Sequence, residues 1–451
     1  MTNKNSQNFT LEGVLTARGT DQFLTPIGLL PQATANDTGL PSVLIDTNCE
    51  FQSLVGFGGA FTESAAATWL KLSAVRREQV LKAYFDPENG HGYSFCRLHM
   101  GSCDFSLSNY SHVDTDDEEL SSFSIARDRQ ALMPFIKAAQ IVAGRSLQLL
   151  VSPWSPPAWM KTSGTMNNGG RLKPEFRQAW ANYFVKFIKA YEAEGIPIWG
   201  VTVQNEPMAT QRWDSCVYSA EEERDFVRDY LGPALENSGL GHIKIVIWDH
   251  NRDELLHRAS VVYADPKAAR FIWGAGFHWY MEDHFDHVQL AHDAWPDKQL
   301  IFTEGCQEGG PHTGEWSLGE RYARSIINDL NRWTVGWIDW NLLLDEQGGP
   351  NHVGNYCSAP ILADTQKDEL LPQSSYAYLG HFSRYIKPGA RRLLCAANRQ
   401  SLETTAFRNP DGTIACVVMN RSDESLKFQI KIGDTQSVAL LPPHSIATYF
   451  T

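Results

Sequence analysis

The chain has no run of about 18 apolar residues, so no transmembrane helix is expected. Its first residues, MTNKNSQNFTLEG, lack the apolar core that an export signal needs. There is no excess of positive charge. Lys+Arg total 39 against 52 Asp+Glu, a formal net charge of −13, which disfavours electrostatic binding to nucleic acid. The same balance, with no apolar span, argues against stable insertion into a membrane. There is no Cys-x-x-Cys pair. Cys49, Cys96, Cys103, Cys216, Cys306, Cys357, Cys395 and Cys416 are scattered, so a zinc or redox pair is not expected. Without an export signal they read as free thiols in a reducing cytoplasm. The acidic run His112–Leu120 lacks the spacing of a calcium loop and reads as a solvated loop. No internal repeat or low-complexity segment is present.

What is there is an ordinary globular composition, 43% hydrophobic and 20% charged. A chain of 451 residues is long enough for one large barrel and a smaller domain. The most informative stretch is Ile198–Pro207, IWGVTVQNEP. It is apolar as far as Val203, like a strand buried on both faces, and Pro207 stops the ladder. Asn205 and Glu206 are left at the carboxyl end, where parallel α/β folds place their chemistry. A solvated strand terminus is the plainer reading. Leu300–Gly305, LIFTEG, repeats the pattern and ends on Glu304. Two acids at two parallel strand ends can face each other across a barrel mouth. Glycoside hydrolysis uses such a pair, one to protonate the leaving oxygen and one to attack or to activate water.

Strand and helix signals alternate along the chain. Strands are expected at Ser53–Phe61, Tyr93–Met100, Leu147–Trp154, Ile198–Val203, Ile243–Asp249, Gly276–Tyr280, Leu300–Glu304 and Val335–Asn341. Helices are expected at Ser64–Leu72, Arg129–Ala143, Pro174–Glu194, Ala220–Asn237 and Ser317–Trp333. Phe176, Trp180, Phe184, Phe187 and Tyr191 recur at helical spacing and read as core. Ser219 and Glu222 form a capping box. Arg97, inside a buried strand, requires a carboxylate partner. Glu63 stands either near a strand top or as a dipole-favoured acid at a helix start. Trp154 and Trp159 offer faces to a ligand or pack in the core. His278 is either a satisfied core histidine or a ligand contact.

The pattern predicts a (β/α)8 barrel over residues 53–385. Residues 1–52 and 386–451 are β-rich, with strands at Glu403–Arg408, Thr413–Asn420, Leu426–Ile432 and Ile446–Phe450. They are expected to form one flanking β-sandwich built from both termini.

The ordered motifs resemble glycoside hydrolase family 30, and within it the glucosylceramidase branch. They are GFGGAFTE (56–63), SCDFS (102–106), SPWSPPAWMKT (152–162), QNEP (204–207), HWY (278–280), TEG (303–305), GWIDWN (336–341) and GGPNHVGN (348–355). The resemblance implies Glu206 as general acid/base and Glu304 as nucleophile of a retaining mechanism. It implies Asn205, Trp154, Trp340 and Asn355 as sugar contacts, His278 and Tyr280 as pocket residues, and Arg97 as a buried support. Glu63 replaces the family's aspartate, and would hold hydroxyls on the far side of the sugar. No metal or organic cofactor is required. The partner implied is a small-molecule or oligosaccharide β-glycoside, with β-glucosides leading. β-Xylosidase or β-fucosidase activity, endo-β-1,6-glucanase activity, glucosylceramidase activity and non-catalytic carbohydrate binding stay open as alternatives.

Overall fold

The computed structural model describes residues 9–451. Residues 1–8, which begin the stretch read for an export signal, lie outside the described residues. Eight parallel strands close into a barrel: β1 Gly56–Phe61, β2 Phe95–Met100, β3 Gln148–Pro153, β4 Ile198–Thr202, β5 Lys244–Asn251, β6 Ile272–His278, β7 Gln299–Glu304 and β8 Thr334–Asn341. The eight expected strands are these, displaced by a few residues at their ends. Gly58 explains the glycine run in β1. A Cβ there would lie 1.8 Å from the Phe95 carbonyl oxygen of β2, so only glycine lets the two strands approach. Inside the barrel, Phe95, Leu150, Val246, Ile301 and Ile338 make one cluster. Outside it, the helices bury a much larger aromatic-rich core, with Phe302 stacked on Trp337 at 4.2 Å.

The helix 177–193 buries Trp180, Phe184, Phe187 and Tyr191, as its period requires; Phe176 precedes it and is partly buried. The segment expected as one helix over Ala220–Asn237 contains a π-helical turn at Val227–Leu231. Pro233 has no N–H and crowds the preceding turn, which explains the irregular turn ahead of it.

A nine-stranded sheet flanks the barrel, in the order 435–441, 426–432, 42–53, 391–397, 402–408, 414–420, 445–450, 12–17, 25–29. Both termini therefore contribute. Leu15, Ile45, Leu393, Val418, Phe428 and Tyr449 share one core, so the sheet closes over itself as a sandwich. Two of its strands, Arg391–Ala397 and Thr435–Leu441, are not evident in the sequence. RRLLCAA opens on two charges and lacks β-branched residues, and TQSVALL has only one apolar β-branched residue. All eight cysteines are free thiols. Among the described residues, no helix is long and apolar enough to cross a membrane.

Candidate active site

A cavity of about 320 Å³ opens at the carboxyl ends of the barrel strands. Glu206, Glu304, Trp154, Tyr280, Trp340 and Asn355 all line it, as do Asp104, His250 and Asn251. Its location follows from topology, since every strand of a (β/α)8 barrel presents its last side chains to this face.

Arg97 organises the layer beneath. It is fully buried, and all five of its N–H donors are used. Its Nε donates to Ser152 Oγ at 3.0 Å, and Nη1 donates to the Thr303 carbonyl at 3.1 Å and Glu304 Oε2 at 2.8 Å. Nη2 donates to Asn205 Oδ1 at 2.8 Å and Asp249 Oδ2 at 2.7 Å. One side chain on β2 thus bonds to residues on or just beyond β3, β4, β5 and β7. The carboxylate partner it requires is in fact two, Asp249 and Glu304.

In the sequence Asp249 is only the last residue of an expected strand. Its backbone and that of Trp248 are left-handed, at φ 55° and 72°, beside a register shift in the β5–β6 pairing. This bulge turns Asp249 inward, a strained arrangement that the surrounding bonds maintain. Thr202 Oγ1 donates to it at 2.7 Å, and His278 Nε2 lies 3.1 Å away. Burial alone would raise its pKa, but Arg97 and His278 hold it far below the usual carboxylate range.

Glu304 has both oxygens engaged, Oε2 by Arg97 and Oε1 by the Tyr280 hydroxyl, which donates at 2.8 Å. Glu206 also has left-handed backbone, at φ 46°, and its N–H donates to the Asp249 carbonyl at 3.0 Å. Its Oε1 is 3.4 Å from His278 Nδ1 and 3.8 Å from His250 Nε2. A carboxylate oxygen of Glu206, one of Glu304 and a ring nitrogen of His278 lie within 4.8 Å of one another. Burial lowers His278, but Glu304, Asp249 and Glu206 outweigh it and raise the imidazole to about 9. Taken singly, burial pushes Glu304 up against the pull of His278 and Arg97. Burial would push Glu206 up as well, but His250 and His278 override it and lower this group.

The remaining expected residues divide by position. Trp154 and Trp340 stack at 5.2 Å and form one wall. Asn355 Nδ2 donates to Asp104 Oδ2 at 3.0 Å. Asn205 and His278 are buried immediately behind the lining, where Asn205 has its oxygen fixed by Arg97. Trp159 packs edge-on against Phe176, away from the cavity.

Glu63, expected to hold sugar hydroxyls, is placed elsewhere. It begins the helix Glu63–Lys71 and does not line the cavity. Its carboxylate accepts from Arg127 Nε at 2.8 Å, Arg127 Nη2 at 3.0 Å and the Leu107 N–H at 2.8 Å. The reach of glutamate takes it to Arg127 and not to a sugar. The buried acid in the cavity besides Glu304 is Asp104, raised well above its ordinary value by burial and by the charge of Glu304. The signal for it was inside SCDFS, where it is the acid of a short loop just beyond β2.

A family model described as the glycosyl hydrolase family 30 TIM-barrel domain matches residues 54–386. A second, the family 30 beta sandwich domain, matches residues 389–449. The chain is 38% identical to the lysosomal acid glucosylceramidase of Mus musculus over 439 residues, 93% of this chain and 84% of the relative. Among solved structures, SrfJ from Salmonella typhimurium superposes with a TM-score of 0.93 at 37% identity, covering 98% of this chain and 99% of that one. The endo-beta1,6-glucanase BT3312 superposes with a TM-score of 0.90 at 28% identity, again covering 98% and 99%.

Proposed function

The chain belongs to glycosyl hydrolase family 30 and is a glycoside hydrolase, and from that premise we propose that it is a retaining, exo-acting β-glycosidase that releases terminal β-linked sugars, β-glucosides foremost. The observation that carries this reading is the approach of the two carboxylates, with oxygens of Glu206 and Glu304 within 4.8 Å. Retaining enzymes hold their carboxyls about 5–5.5 Å apart, and inverting ones about 6.5–9.5 Å, to admit a water.

The roles follow from what each carboxylate touches. Burial by itself favours a proton on Glu304, and the two imidazoles favour the charged form of Glu206. Arg97 is permanently charged and bonds Glu304 at 2.8 Å, and Tyr280 donates to its other oxygen. Glu206 has no arginine or lysine partner among the described residues, and its cationic neighbours are imidazoles, at 3.4 and 3.8 Å. Arg97 and protonated His278 balance Asp249 and ionised Glu304, so a protonated Glu206 completes a neutral buried cluster. We therefore place the shared proton on Glu206. Glu304 attacks the anomeric carbon while Glu206 gives its proton to the leaving oxygen. Water then opens the glycosyl-enzyme with Glu206 as base.

Exo action is supported by the burial of Asp104, Trp154 and Trp340 in the cavity lining, which suits one terminal sugar. The likeness to BT3312 supports a second reading, cleavage within a β-1,6-linked glucan. NMR of the first-formed product of a nitrophenyl β-glucoside should show the β anomer, and Glu304→Ala should lose several powers of ten in kcat. An α anomer formed first would overturn the mechanism. A panel of nitrophenyl β-glycosides ranks glucose against xylose and fucose. Glucose as sole early product from a β-1,6-glucan supports exo action, and oligosaccharides support the second reading.

A further inference from the structure

The cavity lining has two zones. Asp104, Trp154, Glu304 and Trp340 are buried, whereas Gln211 and Trp213 are half-buried and Glu308 is exposed. The outer zone belongs to no role assigned above.

Glu308 lies four residues beyond Glu304 on a firmly held backbone. It forms an antiparallel bridge with Cys357. On either side, the Ser358 N–H donates to the Gln307 carbonyl at 2.8 Å and the Gly309 N–H to the Tyr356 carbonyl at 3.1 Å. Its carboxylate nevertheless has no hydrogen bond and no ion pair among the described residues. A carboxylate carried on a firmly held backbone at the rim of a cavity, with no protein partner, is placed to accept hydrogen bonds from something that enters.

Gln211 and Trp213 come from the loop after Glu206, and that loop is also anchored. Lys161 Nζ donates to the Ser215 carbonyl at 2.6 Å and the Met166 carbonyl at 2.9 Å. The Gln211 N–H donates to Ser215 Oγ at 3.1 Å. Asp214 accepts from Ser102 at 2.6 Å and Asn109 at 3.0 Å. Trp213 packs against the Trp154–Trp340 cluster and remains half-buried where those two are buried. A general acid faces the leaving oxygen, so the side of the cavity nearest Glu206 receives the leaving group. No lysine or arginine lines the cavity, and four acids do: Asp104, Glu206, Glu304 and Glu308.

We propose that Glu308, with Gln211 and Trp213, forms the leaving-group subsite and selects a neutral, polyhydroxylated leaving group, namely a second sugar. This rests on the assignment of Glu206 as the acid. The Glu308 carboxylate accepts sugar hydroxyls, the Gln211 amide serves either polarity, and the Trp213 ring covers a pyranose C–H face. An alkyl leaving group offers Glu308 no donor and would desolvate it without compensation. An anionic leaving group meets the like charge of Glu308, with no lysine or arginine in the lining to offset it.

The test compares kcat/KM for a β-linked glucose disaccharide with that for a nitrophenyl β-glucoside, in the intact enzyme and in Glu308→Ala and Glu308→Gln. The ratio of disaccharide to aryl glucoside should fall about 10- to 100-fold in Glu308→Ala, and less in Glu308→Gln. An unchanged ratio in an enzyme that cleaves both substrates overturns the subsite. So does a fall confined to glucosides with amine-bearing leaving groups. Should the intact enzyme cleave no β-glucoside, the functional reading fails separately. Disaccharide affinity by calorimetry then decides the subsite: equal binding by the intact enzyme and Glu308→Ala refutes it.

Discussion

Replacing Tyr280 by phenylalanine removes one oxygen and tests the charge state of Glu304. Its hydroxyl donates to Glu304 Oε1 at 2.8 Å, and no other side chain among the described residues donates to that oxygen. Burial, with the nearby Cys306 and Glu304, keeps the phenol far above its ordinary pKa, so it stays a donor throughout the working range. A hydrogen bond to a charged group is worth about 1.5–3 kcal/mol. At about 1.36 kcal/mol per pKa unit, its loss should raise the Glu304 pKa by about 1–2 units. The sign is fixed: the bond favours the carboxylate, so removing it favours the protonated acid. In the pH profile of kcat/KM, the acid limb should therefore move up by about 1–2 units. Activity should fall about 10- to 100-fold below the original limb and change much less above it. The alkaline limb, which reports the proton on Glu206, should stay nearly still. The wild-type and Tyr280→Phe profiles on a nitrophenyl glucoside supply the measurement. An acid limb that stays in place or moves to lower pH would refute Glu304 as the ionised member of the pair.

His278 has a folded pKa raised to about 9 by the carboxylates around it. Its contribution to stability is complete below the unfolded value, about 6.5, and is lost as pH rises through about 9. His278→Gln should flatten the fall of Tm over that window, and an undiminished slope in calorimetry would contradict this. Asp104→Ala should lower kcat/KM for a glucoside by about 10- to 100-fold, as loss of hydrogen bonds to a buried acid predicts. Glu63→Asp should leave the ratio of glucoside to xyloside turnover unchanged, because Glu63 is held by Arg127 outside the cavity. A changed ratio would put Glu63 back at the sugar.

Much of the architecture was legible because it is written in short-range pattern. Apolar runs of strand length alternating with helical periods specify a barrel. Glu206 and Glu304 stood out because each ends such a run, and a barrel brings strand ends together whatever the loops do. The glycines of β1 and the charged residue within β2 were equally visible. The strands 391–397 and 435–441 were not, since they are strands by virtue of the neighbours they pair with in the sandwich.

The sequence alone determined which elements form and which acids stand at their ends, because periodicity and strand termination are local properties. Only the tertiary structure decided what those acids touch. Arg97 meets Asp249 and Glu304, 152 and 207 residues away in the chain. Asp249 turns inward only because a bulge rotates two residues into left-handed backbone. Glu63 and Asp104 are both acids beside neighbouring strand ends, and the sequence cannot rank them. The packed fold does, because a carboxylate goes to the donors within its reach: Arg127 and the Leu107 N–H for Glu63, the cavity and Asn355 for Asp104.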